Sequence, residues 1–205
     1  MRILRAPWKL VKLDDSAEWN TMRNSNFLVA ITVSVIGMVL LSCARMDRGS
    51  ARVSFVTKYA PIEFSFPPGW HTNRDDHPYD LQCFSSSKDM NTGVFVFKRI
   101  DLAADSEPID TFWKQVNDLK SKRASFEELE ALHTLNYDDK TVTSITYLGD
   151  KDSSRYCYQF SLIEFKADNS KFAVVLQVAR PGGWEKSKPI LGEIVRSART
   201  LPDDR

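Results

Sequence analysis

Residues 129–179 read LEALHTLNYDDKTVTSITYLGDKDSSRYCYQFSLIEFKADNSKFAVVLQVA. Four segments in this stretch, 129–137, 141–148, 156–165 and 172–179, are rich in β-branched and aromatic residues, and each is bounded by polar turn residues, which is the composition of strands. Asp138-Asp139-Lys140 joins the first pair, and residues 167–170 join the last. A parallel crossover needs about a dozen residues, so connections this short make the pairing antiparallel and the topology a meander. Asp150-Lys151-Asp152-Ser153-Ser154 lies between the second and third strands. It lacks the glycine and the later glutamate of an EF-hand loop, so it reads as a hairpin tip and not as a calcium site.

Working upstream, 81–85 and 94–100 form a further hairpin across a turn at 86–93, and 62–66 is an alternating strand that stops at Pro67-Pro68-Gly69-Trp70. Those prolines cannot donate to a ladder and the glycine accepts a positive φ. Between the two strand regions the period changes. Ile109, Phe112, Trp113, Val116 and Leu119 share one face of a helix that starts near Ser106-Glu107-Pro108. Downstream, Ser187-Lys188-Pro189 reads as the start of a second helix, with Leu191, Ile194, Val195 and Ala198 as its apolar stripe and Leu201 beyond it. Gly192 costs that helix about 1 kcal/mol relative to alanine, so packing must hold it. The fold class is α+β, an antiparallel sheet flanked by helices.

The strand ending in Phe64-Ser65-Phe66-Pro67-Pro68-Gly69-Trp70, the mid-chain helix, the paired strands and the late Pro181-Gly182-Gly183-Trp184 leading into residues 190–197 resemble the PsbP-like domains, over roughly residues 55–201. The resemblance implies an α/β/α sandwich shared with a Ran-binding nuclear import factor, and a DcrB-like group of bacterial envelope lipoproteins. It also implies a non-enzymatic role in binding proteins or assisting assembly. Photosystem members affect metal and chloride retention, but no motif here lets a metal ligand be carried over.

The amino-terminal region gives an address. Residues 27–41 are an apolar run preceded by Arg23 and closed by Leu40-Leu41-Ser42-Cys43, shorter than the roughly 20 residues a spanning helix needs and fitting a signal h-region. Leu40-Leu41-Ser42-Cys43 resembles the lipobox of bacterial lipoproteins, in which the chain is cut before the cysteine and acylated on it. That assigns cleavage between Ser42 and Cys43 and lipidation to Cys43, with several acyl chains making a stable anchor. The alternative is an uncleaved, tilted anchor. Residues 22–42 are then the signal peptide, 43–54 a lipidated tether, and 1–21 an extension upstream of a start at Met22 or a cytoplasmic tail. Ala44 follows the cysteine where aspartate signals inner-membrane retention in enterobacteria-like lipoproteins, which favours the periplasm-facing outer membrane.

The chain carries 28 Lys plus Arg against 27 Asp plus Glu, with the signs interspersed and no basic stripe that would mark a nucleic-acid partner. Phosphate-loop, H-E-x-x-H, G-x-S-x-G and dinucleotide motifs are absent, and no cofactor is implied. His71 and His77 flank Asn73-Arg74-Asp75-Asp76, with Cys83 beyond, a spacing unlike that of zinc sites. His133 shares a strand face with Leu129, Ala131 and Leu135 and reads as a partly buried core histidine. Glu127-Glu128 and Asp138-Asp139 belong to solvated turns, since adjacent strand residues face opposite ways. Cys83 and Cys157 both fall in strands, where they either bridge or stay buried as free thiols. Trp70 and Trp184 follow glycine turns and either plug the sheet ends or contact a partner. The leading function is a membrane-anchored module that binds an envelope protein. The alternative is a small-ligand binder or enzyme built on loop residues His71, Asp75, Asp76 and His77.

Overall fold

The computed structural model describes residues 51–73 and 78–202. Ten strands and two long helices follow one another as β1 (Val53–Val56), β2 (Ile62–Phe66), β3 (His71–Thr72), β4 (Leu81–Phe84), β5 (Met90–Lys98), α1 (Pro108–Lys120), β6 (Phe126–Asn136), β7 (Lys140–Lys151), β8 (Ser154–Phe165), β9 (Lys171–Ala179), α2 (Trp184–Arg196) and β10 (Arg199–Thr200). Seven strands make one antiparallel sheet in the order β3-β4-β5-β9-β8-β7-β6, which contains the expected meander as its last four members. The other three form a small sheet, β1-β2-β10.

Alternation along the central strands divides the core in two. Phe160, Leu162, Phe172, Val174 and Leu176 point to one face and meet Phe112, Val116 and Leu119 of α1. Ile163, Ala173, Val175, Val94 and Val96 point to the other and meet Ile62, Phe64 and Phe66 of β2 together with Trp184, Leu191 and Ile194 of α2. With both faces covered, β9 buries all its residues but Val178, and β8 is buried without a break from Cys157 to Ile163. Each large apolar side chain so buried contributes roughly 1.5–3 kcal/mol relative to exposure. The order of layers is α1, the seven-stranded sheet, then α2 with the small sheet.

Local chemistry explains the ends of these elements. Pro67-Pro68-Gly69-Trp70 closes with Trp70 N–H donating to the Pro67 carbonyl, and Gly69 at φ 81° supplies the left-handed residue of a type II turn. Asp152 and Ser153, both at positive φ, make the two-residue turn joining β7 to β8, the primed geometry that matches strand twist. Glu107 caps α1 in a reciprocal box with Asp110, and Pro108 sits just inside the helix.

Three boundaries differ from the sequence reading. The tether expected over 43–54 gives way at Val53, where β1 begins to pair with β2. The turn expected over 86–93 is shorter, and β5 starts at Met90. Gly93 lies inside that strand because a β-carbon there would fall 2.2 Å from the Tyr79 ring, a close approach and not a bend. The second helix starts at Trp184, not at Ser187, and carries Pro189 in its interior. Burial of Trp184 holds the first turn in place despite the missing proline N–H.

Candidate functional site

The two edges of the large sheet are unequal. β3 offers two residues and β6 eleven, so β6 presents the longer row of backbone groups that face no strand. Its pairing with β7 shifts register between Glu128 and Glu130 and again between Glu130 and His133. Each shift inserts a residue and breaks the alternation. Leu129, Leu132 and Leu135 are consequently left 45%, 44% and 49% exposed. His133 is exposed too, with Nδ1 3.2 Å from the Ala131 carbonyl. The partly buried histidine expected from a regular strand is therefore corrected, because β6 is a bulged edge strand. Glu127 and Glu128, expected in a turn, lie at the start of this strand.

Glu130 is the one glutamate of β6 drawn inward. Thr146 Oγ1 donates to it at 3.1 Å, Trp184 Nε1 at 3.4 Å, and Lys188 pairs with it at 2.5 Å. Burial alone would raise the Glu130 pKa, but the Lys188 hydrogen bond and charge, with the Trp184 and Thr146 bonds, outweigh it and the pKa is lowered. This cluster ties the sheet edge to the first turns of α2.

Behind it, register aligns Thr92, Gln177, Gln159, Thr146 and Glu130 on five neighbouring strands. Gln177 Nε2 donates to the Leu191 carbonyl of α2 at 3.0 Å. Thr92 Oγ1, Gln159 Oε1 and Gln177 Oε1 are buried without a hydrogen-bond partner. A polar row under a helix is a weaker seat than an apolar one, since each unpaired buried group costs roughly 1–3 kcal/mol. The sequence signal for it was polar residues at core-phase positions of otherwise apolar strands.

The residues singled out from the sequence fall as follows. Trp70 and Trp184 are 6% and 3% exposed. Trp70 packs on Phe66 with ring centroids 5.2 Å apart, and both indoles lie in the core. Cys83 and Cys157 are buried free thiols on β4 and β8. Two strands, β5 and β9, lie between them, and strand spacings of about 4.8 Å put the pair beyond disulfide reach. Burial pushes the thiols up to about 12 and about 11 respectively, with Glu130 and Glu185 adding to the second. His71 is exposed and stacks on Phe84. Asp75, Asp76 and His77 lie outside the described residues, as do Ser42 and Cys43 with the expected signal peptide and leader. Among the described residues no cluster of His, Cys, Asp or Glu could hold a metal ion, and no helix is long and apolar enough to cross a membrane.

No family model and no curated protein matches the chain. Solved structures do. The solution structure of cyanobacterial PsbP (CyanoP) from Synechocystis sp. PCC 6803 superposes with a TM-score of 0.55 at 15% identity, covering 79% of this chain and 99% of that one. LpqN of Mycobacterium tuberculosis, described as involved in cell envelope biogenesis, gives 0.54 at 10% identity over 74% of this chain and 91% of that one. A variant of the protein Mog1 gives 0.50 at 14% identity over 73% and 96%. At these identities the likeness is one of architecture, and the architecture is the PsbP-like fold.

Proposed function

We propose that the protein is a lipid-anchored, periplasm-facing envelope module that binds another protein and does not transform a substrate. The carrying observation is β6: eleven residues of open strand edge with three leucines close to half exposed. Long open edges pair with extended segments, whose main-chain hydrogen bonds give affinity and whose side chains give specificity. Glu127 and Glu128 beside Leu129 make the edge both apolar and acidic, which fits an extended apolar segment of an envelope protein carrying lysine or arginine. The shared architecture with LpqN, described as involved in cell envelope biogenesis, supports an assembly role. The lipobox-like Leu40-Leu41-Ser42-Cys43 supports anchoring through acylated Cys43, and Ala44 supports the outer membrane.

A photo-crosslinking residue placed at Leu132 or, as control, at Lys114 on α1 tests the edge in intact cells. A discrete adduct from position 132 that is absent from position 114 and lost in Glu128→Lys supports docking on β6. The same adducts from both positions, or none from 132, overturn it. Mass spectrometry of the mature amino-terminal peptide tests the anchor: acylated Cys43 is expected, and accumulated peptides from 24–42 would reject it. Membrane fractionation tests the sorting, where recovery with inner-membrane markers would reject the outer membrane.

A further inference from the structure

We propose that the start of α2 is an oxyanion site, one that takes a phosphate or carboxylate group. This inference stands apart from β6 docking, because it rests on a different surface. A cleft of about 490 Å³ opens there, with Arg155, Arg180, Gly182, Gly183, Ser187 and Asp89 among its lining residues.

The helix start is partly satisfied: Gly183 N–H donates to the Arg180 carbonyl at 3.1 Å and Trp184 N–H to the Pro181 carbonyl. α2 runs for 13 residues from its N-cap Gly183, and no side chain caps it. The first turn of a helix leaves N–H groups without intrahelical partners and carries partial positive charge. Gly182 and Gly183 both have ordinary φ, and neither is crowded. A β-carbon at Gly182 would meet nothing within 4 Å, and one at Gly183 would meet only Ser187 Oγ at 3.9 Å. Neither backbone strain nor packing therefore asks for glycine twice in succession. What the pair provides is room beside the N–H groups of the first turn that follow Trp184.

Ser187 is the second, independent sign. It lies on the inward stripe of α2 with Trp184 and Leu191 and is only 8% exposed, yet it lines the cleft. Among the described residues no group hydrogen-bonds its hydroxyl. The hydroxyl opens onto the cleft and is free to donate to an acceptor that enters there. Arg180 and Arg155 stand at the rim with donors suited to oxyanions. Their charge is partly spent, since Asp150 and Glu127 lie 3.2 and 3.6 Å from Arg155. Asp89 shares the rim with its carboxylate bonded by the Ser85 and Ser87 hydroxyls. Binding is consequently weak and sensitive to salt.

The test uses thermal melts of the full chain in detergent, titrated with sodium phosphate, sodium acetate, or sodium chloride at matched ionic strength. The expected result is a saturable rise in melting temperature with phosphate, acetate or both that chloride does not reproduce; which of the two acts identifies the group. Ser187→Ala should melt in chloride no lower than wild type, because no bond is removed, yet bind the oxyanion about tenfold more weakly, the loss expected for one hydrogen bond to a charged group. Arg180→Gln should weaken binding and flatten its salt dependence. A wild-type response in Ser187→Ala, a response that chloride matches, or a clear fall in the melting temperature of Ser187→Ala in chloride would each overturn the site.

Discussion

Lys188 of α2 and Glu130 of β6 form an ion pair at 2.5 Å that bridges the helix and the edge of the large sheet. The pair exists because of a backbone irregularity. The register shift after Glu128 sets Glu130 opposite Thr146, whose strand face lies toward α2. Trp184 closes the contact from the same helix. The exposed edge and α2 are thus mechanically joined at one carboxylate.

That carboxylate should show in the acid limb of stability. A carboxyl group whose pKa is lower in the folded chain adds stability above its unfolded value and loses it as pH falls through the folded one. Glu130 is of this kind, with its reference at 4.5. Glu130→Gln should therefore cost about 1–2 kcal/mol near pH 7, and the gap to wild type should close as pH drops below 4.5. Urea melts at pH 7, 5 and 3.5 measure it. A gap that widens toward low pH would mean that burial, and not Lys188, dominates the group.

Two buried lysines fasten the chain after α2. Lys140 donates to the Ala198 carbonyl at 2.7 Å and pairs with Asp139 at 2.6 Å, while Lys171 reaches the Leu201 carbonyl at 3.2 Å. Lys140→Met leaves a buried carbonyl unpaired and should destabilise the protein by about 2–3 kcal/mol. Lys114→Met, on the exposed face of α1, should change stability by less than about 0.5 kcal/mol. Equal urea midpoints for the two variants would show that the Ala198 contact carries no weight.

Much of this architecture was legible because periodicity reports burial. The 3.6-residue stripe from Ile109 to Leu119 and the short links of the meander led to α1 and to the order β9-β8-β7-β6. What escaped notice has physical causes. Val53–Val56 is only four residues long and follows a polar stretch, so the brief alternation of Val53, Ser54 and Phe55 does not stand out as a strand. Ser187-Lys188-Pro189 imitates a helix start, but Trp184 gains more from burial than Pro189 loses in a hydrogen bond. The bulges of β6 depend on where β7 pairs, and no local residue pattern records them. The candidate edge was therefore hidden, while Trp70 and Trp184, for which the sequence left core filling and partner contact open, lie in the core.

Within the α1 stripe, position decides the cost of truncation. Phe112 is fully buried and meets Phe160 edge-on at 6.5 Å, whereas Trp113 is only partly buried beside it. Phe112→Ala should cost about 3–5 kcal/mol, the range for a buried aromatic that leaves a cavity. Trp113→Ala should cost clearly less, although its side chain is larger. The reverse order in thermal or urea melts would mean that α1 is rotated about its axis relative to the sheet.

The thiols offer a probe of how tightly the sheet closes. Cys83 and Cys157 are buried and unpaired, and burial raises both far above the pH at which thiols normally react. Reaction requires the thiolate and access to it, and the native fold withholds both. At pH 8 the folded protein should therefore resist a disulfide-exchange reagent at both positions, and both should react once urea unfolds it. Reducing agent should leave the melting temperature unchanged, because no bridge joins β4 to β8. Fast labelling of Cys157 alone would instead show that α2 lifts from the polar row formed by Gln159 and Gln177, the weakest part of its seat, since Cys157 sits on that face of the sheet with Trp184 in the same core.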